Sequence, residues 1–293
     1  MKKLLAMAVT AAFTVSMLAG CGQSAETTDA SAQETAQETE TEAADEETAG
    51  TADAASEDTA ERTTFTVGFD AEFPPYGYMD ESGEYTGFDL ELAQEVCDRN
   101  GWELVKQPID WDSKDMELSS GAIDCIWNGF TMNGREDAYT FSVPYVDNSQ
   151  VFVVAADSGI TVFDDLAGKN VGVQKDSSAL AALEGDAAEL AATFGNLTQY
   201  SDYNTAFMDL EQGAIDALAI DVGVADYQIA SRGEGFVKLS ENLASEQYGI
   251  GFKLGNVELK DQVEKTLLEM ADDGTFGKIA EKYGLSDSVC LGK

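Results

Sequence analysis

From residue 64 onward, apolar positions fall into two alternating rhythms. β-rich runs at 64–69 and 102–107 flank a stretch of helical spacing at 88–100, with a stripe at Phe88, Leu92, Ala93, Val96 and Cys97. Thr86 with Asp89 predicts a capping box at the start of that helix, and Asn100-Gly101 predicts its stop. A short echo runs through the pattern. Leu118-Ser119-Ser120-Gly121-Ala122-Ile123-Asp124 leads into a strand at 125–127, and Leu210-Glu211-Gln212-Gly213-Ala214-Ile215-Asp216 leads into one at 217–220. Each reads as a helix ending at a left-handed glycine, then a buried strand. Two βαβ lobes of one design are expected, with chance similarity of two helix-to-strand turns as the alternative.

Upstream the pattern is different. Lys2 and Lys3 precede an apolar stretch, 4–18, that is short and dotted with Thr and Ser, so 1–20 reads as a signal peptide rather than a membrane span. Leu18-Ala19-Gly20-Cys21 resembles the lipobox of bacterial lipoproteins, which implies cleavage before Cys21 and its acylation, palmitate included, as a membrane anchor. The alternatives are an ordinary signal peptide with an incidental cysteine, or a single transmembrane anchor. Residues 22–63 contain no Val, Ile, Leu, Met, Phe, Tyr or Trp. Such a stretch cannot bury enough apolar surface to offset its ordering entropy, so 21–63 is expected to be an acidic tether.

Charge narrows the function. The chain of 293 residues has 55 Asp and Glu, 17 Lys and Arg and no His, a net of −38. Of this, −12 lies in 22–63 and −28 in 64–293. Nucleic acid is excluded as a partner, because binding phosphates needs clustered Lys and Arg. Without histidine, serine triads with a histidine base and histidine-ligated zinc are excluded. Carboxylate, Lys and Cys chemistry stays open, and no metal or cofactor is expected.

Ligands of open α/β sheets bind beyond the carboxyl ends of the strands. After the first echoing strand come Asn128, Gly129, Thr131 and Arg135, and after the second comes Asp221. Arg135 offers a planar fork matched to a carboxylate, and Asp221 an acceptor matched to an ammonium, together the two ends of an α-amino acid. Thr131, the Gly129 N–H, Ser177 and Ser178 are candidate extra donors to the carboxylate, and Phe73 and Trp111 candidate walls for a side chain. Each has a plainer reading: helix caps for the serines and Asp221, rim packing for the aromatics, a surface ion pair for Arg135.

In this order and spacing the motifs resemble the family 3 extracellular solute-binding proteins of polar amino acid ABC importers. They are Gly68-Phe69-Asp70-Ala71-Glu72-Phe73-Pro74-Pro75-Tyr76, Gly87-Phe88-Asp89, Asn128-Gly129-Phe130-Thr131 with Arg135, Phe141-Ser142-Val143-Pro144-Tyr145, Gln174 with Ser177-Ser178, Asp221, and Asp273-Gly274-Thr275. The resemblance implies an α/β, type II periplasmic-binding-protein fold. Lobe 1 would be 64–144 plus 249–293, lobe 2 150–243, and the hinge two extended crossovers near 145–149 and 244–248. It further implies that Arg135 holds the α-carboxylate and Asp221 the α-amino group. Asp70, Phe73 and Trp111 would line the side-chain pocket, with Gly129, Thr131 and Ser178 in support. The spacing from Thr131 to Arg135 is one residue shorter than the family's usual pattern. Implied partners are a free L-amino acid and the permease subunits with their ATPase, for a lipid-anchored monomer on the extracytoplasmic face of a bacterial membrane. Asp70, Glu72 and Asp112 lean toward a basic side chain, with glutamine, histidine and cystine open.

Two other classes compete. One is a dehydratase-like cleft enzyme, with Glu72 as general acid. The other presents ligand to a signalling receptor. With Cys21 acylated, Cys97, Cys125 and Cys290 allow at most one disulfide, and buried free thiols are the plainer reading of Cys97 and Cys125.

Overall fold

The computed structural model describes residues 62–292. The expected signal peptide, the Cys21 anchor and nearly all of the tether lie outside the described residues. Among the described residues, no helix is long and apolar enough to cross a membrane.

The chain begins with β1 (Thr64–Phe69), then the short strands β2 (Glu72–Phe73), β3 (Gly77–Met79) and β4 (Tyr85–Thr86). Helix α1 (Phe88–Asn100), β5 (Glu103–Pro108), α2 (Lys114–Ser120), β6 (Cys125–Ile126) and β7 (Tyr139–Phe141) follow. The chain then crosses into β8 (Val146–Ala155), β9 (Asn170–Gln174), α3 (Ser178–Glu184), α4 (Ala188–Ala191) and β10 (Asn196–Tyr200). Next come α5 (Tyr203–Glu211), β11 (Ala217–Asp221), α6 (Val222–Arg232), β12 (Phe236–Lys238) and β13 (Ala244–Tyr248). It returns through β14 (Gly251–Lys253), α7 (Val257–Asp272) and α8 (Thr275–Lys282).

Two larger sheets and a small one of order β2-β3-β4 organise these elements. The first has the order β5-β1-β6-β14-β7, and the second has the order β10-β9-β11-β8-β12, with β13 also paired to β8. The two crossing segments lie side by side, Val146 to Gln150 of β8 running antiparallel to Tyr248 to Ala244 of β13.

The sequence echo is a repeat of packing. Gly121 and Gly213 both adopt positive φ, 79° and 71°. Asp124 accepts the N–H of Thr66 at 2.7 Å, and Asp216 accepts that of Asn170 at 2.8 Å, so each aspartate ties its turn to the neighbouring parallel strand. Ile123 fills the space over Gly68 and Ile215 the space over Gly172.

Helix α1 ends as expected, with Gly101 left-handed and its N–H on the Cys97 carbonyl. Its start differs from the expected capping box. Gly87 is the cap and no side chain caps it, because fully buried Asp89 turns away to the N–H of Gly129 (2.6 Å) and the hydroxyl of Tyr145 (2.9 Å). Phe88 is buried among the rings of Tyr76, Tyr145, Phe276 and Tyr283, which ties α1 to the residue before β8 and to α8. Cys97 and Cys125 are free thiols in the core, and burial pushes Cys97 up to about 12 and Cys125 well above its ordinary value.

Gly87 has φ 135°, and a Cβ there would stand 2.2 Å from the carbonyl oxygen of Tyr76. Gly87→Ala should therefore destabilise the protein by roughly 1–3 kcal/mol in urea unfolding. An unchanged midpoint would contradict this packing.

Candidate functional site

Asn128, Gly129 and Thr131 follow β6, Gln174, Ser177 and Ser178 span the end of β9 and the start of α3, and Asp221 ends β11. These are the strand ends at which an open α/β sheet presents its ligand groups. With Phe73, Trp111 and Arg135, they line one cavity. Ten of the eleven candidate residues thus meet in one place. Asp70, the eleventh, is buried beside them, its N–H on Asn128 at 3.1 Å and its carboxylate accepting from Gln174 at 2.7 Å.

The local roles differ in part from those expected. The Gly129 N–H is already given to Asp89, in a left-handed backbone (φ +56°) where a Cβ would strike Phe73 at 2.8 Å. Ser177 caps α3, accepting from Leu180 N–H and donating to the Gln174 carbonyl, so its hydroxyl is engaged within the chain. Asp221 does not cap α6, and its carboxylate instead takes Asn148 (2.9 Å), Gln150 (2.6 Å), Tyr248 (2.6 Å) and Tyr203 (3.3 Å). Arg135, half-buried, lies 5.0 Å over the Phe130 ring and donates to the Thr131 and Asp176 carbonyls. Among the described residues it makes no ion pair.

Residues the pattern did not flag complete the surroundings. In the β8–β13 register Asn148 faces Glu246, and in the β8–β11 register Gln150 faces Asp221. Alternate residues share a face, so Asn148 and Gln150 point the same way and each donates to both carboxylates. Lys114, buried, reaches across to Asp176 and lies 5.1 Å over the Trp111 ring. With Gln174 on Asp70, Asn204 on Glu72 and Thr131 on Ser178 (3.2 Å), it holds the facing edges of the two sheets together over the cavity.

Beyond Asp70 and Trp111, about 880 Å³ of open space is lined by Glu72, Asp110, Glu117 and Asp202, with no Lys or Arg on its walls. Asp112 does not join it and sits exposed near Lys175.

The family model for bacterial extracellular solute-binding proteins, family 3, matches residues 65–286. The chain belongs to that family. Among curated members, it is 30% identical over 226 residues to the L-cystine-binding protein TcyJ of Escherichia coli, covering 76% of this chain and 83% of the relative. It is 30% identical over 221 residues to the arginine-binding extracellular protein ArtP of Bacillus subtilis, covering 74% and 84%. A solved substrate-binding protein of an ABC uptake transporter from Streptococcus pneumoniae, with bound histidine, superposes with a TM-score of 0.74 at 34% identity, covering 77% of this chain and 94% of that one. The type II periplasmic-binding fold expected from the motifs is thus the fold of this family 3 chain.

Three carboxyls at this site are held above their ordinary range. Burial pushes Asp70 up to about 6 and Asp89 up to about 7, and burial followed by the Glu246 charge pushes Asp221 up to about 7. Each keeps its proton in the folded chain where the unfolded chain has lost it. Folding therefore takes up protons between about pH 4 and 7, and stability falls as pH rises through that window. The ligand-free protein should melt at a higher temperature at pH 5 than at pH 7.5. The reverse order in calorimetry would contradict these assignments.

Proposed function

We propose that this family 3 protein captures a free polar L-amino acid between its two lobes and delivers it to the transmembrane subunits of an ABC importer. The observation that carries the reading is the charge of one small cavity. Arg135 and Asp221 both line it, and among the described residues neither has an ion-pair partner of its own. A zwitterion supplies both missing counter-charges at once. Charged hydrogen bonds of this type contribute about 1.5–3 kcal/mol each, and both form only when the lobes are closed, so ligand and closure favour one another.

Lobes at 64–144 plus 249–293 and at 150–243, hinged near 145–149 and 244–248, accord with the strands of the two sheets. The acid-lined space beyond Asp70 and Trp111 favours a basic side chain, which would pass between Phe73 and Trp111 to reach it. Acylation at Cys21 would hold the domain at the extracytoplasmic membrane face on its acidic tether. Binding rather than turnover is the role: Glu72, the acid a dehydratase would need, is exposed, bonded to Asn204 and outside the lining of the candidate cavity.

In a thermal-shift panel, L-arginine or L-lysine should raise the melting temperature more than L-glutamine does, because binding to the folded state alone raises apparent stability. Equal shifts would remove the basic preference. Arg135→Ala and Asp221→Asn should each weaken binding of the best amino acid at least tenfold in isothermal titration, and unchanged affinity in both would overturn the assignment.

A further inference from the structure

Glu246 lies on β13 rather than at a strand end, and it lines the neighbouring cavity, not the candidate one. It is nevertheless buried, and one of its oxygens, Oε1, collects four contacts. Asn148 donates at 2.7 Å, Gln150 at 2.8 Å, Thr131 at 2.9 Å and Ser178 at 3.3 Å. Thr131 belongs to the first lobe and Ser178 to the second, and both line the candidate cavity.

A hydroxyl has one proton. Thr131 has Ser178 at 3.2 Å and the Glu246 carboxylate at 2.9 Å, and the nearer, charged acceptor takes its proton. The two amide protons of Gln150 go to Asp221 (2.6 Å) and Glu246 (2.8 Å), and Ser178 turns its own proton to Glu246 at 3.3 Å. Both oxygens are left with lone pairs only, beside the Asp221 carboxylate, which is itself acceptor-only when ionised. The cavity thus offers three acceptors in one region, and no hydroxyl proton there to satisfy an uncharged oxygen of a ligand.

We propose that Glu246 is a positioning residue that makes this region an acceptor-only seat, selecting a primary ammonium over a hydroxyl at the same position of the ligand. The inference rests on the amino-acid reading above. It also reverses the part expected of Thr131 and Ser178, which serve the ammonium rather than the carboxylate. The ionisable groups around the seat are Asp221 on β11, Glu246 and Tyr248 on β13, Tyr203 on α5 and Tyr76 before β3, with Arg135 on the Thr131 carbonyl. Burial keeps the three phenols well above their ordinary value and so neutral near pH 7. Asp221 then exchanges the proton, and a ligand ammonium displaces it.

The test is a pair of titrations on the whole protein, with L-arginine and with its 2-hydroxy analogue. Wild type should prefer L-arginine by at least about a hundredfold. Glu246→Met removes the acceptor of the two hydroxyl protons and should reduce that preference at least tenfold, whereas Glu246→Asp, which keeps a carboxylate, should retain part of it. A merely structural role would weaken both ligands alike, so an unchanged preference in a folded Glu246→Met protein overturns the proposal. Should that variant not fold, wild type alone decides. Equal affinity of wild type for L-arginine and its 2-hydroxy analogue overturns the proposal. If wild type binds none of L-arginine, L-lysine, L-histidine, L-glutamine and L-cystine, the amino-acid reading fails and this inference with it. Binding with an unchanged preference removes this inference alone.

Discussion

Two carboxylates buried side by side, Asp221 and Glu246, set the terms for the rest of the site. Placing one charge in a protein interior is costly, and placing a like charge next to it more so, unless hydrogen bonds or a counter-ion offset the cost. Here the offset within the chain is neutral: two amides, two small hydroxyls and two phenols, with no cation among their hydrogen-bond partners. The position of the pair follows from strand register. Strand β8 holds Asn148 opposite Glu246 and Gln150 opposite Asp221, so one crossing strand supplies the donors for both acids. A bound ammonium would supply the missing counter-ion.

The same strands join the two sheets, so the electrostatics of the seat and the mechanics of the hinge share residues. Tyr145 and Tyr248 belong to the crossing region and are fully buried; one bonds Asp89 and the other Asp221. Asp89 in turn fixes the left-handed turn at Gly129, which sets the path of the chain toward Thr131 and Arg135. A change in the angle between lobes would therefore be felt at both ends of the cavity. The bonds from Gln174 to Asp70 and from Lys114 to Asp176 add contacts that exist only with the facing edges together.

Legibility in the sequence followed locality. The placement of Arg135 and Asp221 beside one cavity could be read because they follow two strands marked by the same short motif, and the same packing of isoleucine on glycine recurs in both places. The course of α1 could be read because helical periodicity and a terminal glycine lie within a few residues of one another. Asp89 was misread because Thr86 and Asp89 fit a capping pattern locally, while the partners that decide its role, Gly129 and Tyr145, are 40 and 56 residues away. Glu246 was invisible for the same reason: its meaning depends on pairing with Asn148, 98 residues away, and nothing near it in the chain signals that pairing. Asp112 shows the opposite error, an acid near the right loop that faces Lys175 instead of the acid-lined space beyond Asp70 and Trp111.

Whether a zwitterion fills the cavity between Arg135 and Asp221 is tested directly by a crystal structure grown with whichever amino acid raises the melting temperature most. The α-carboxylate should lie against the Arg135 guanidinium, the α-ammonium against Asp221, Thr131 and Ser178, and the side chain between Phe73 and Trp111. A ligand bound elsewhere, or bound there with its two charged ends reversed, would contradict that placement.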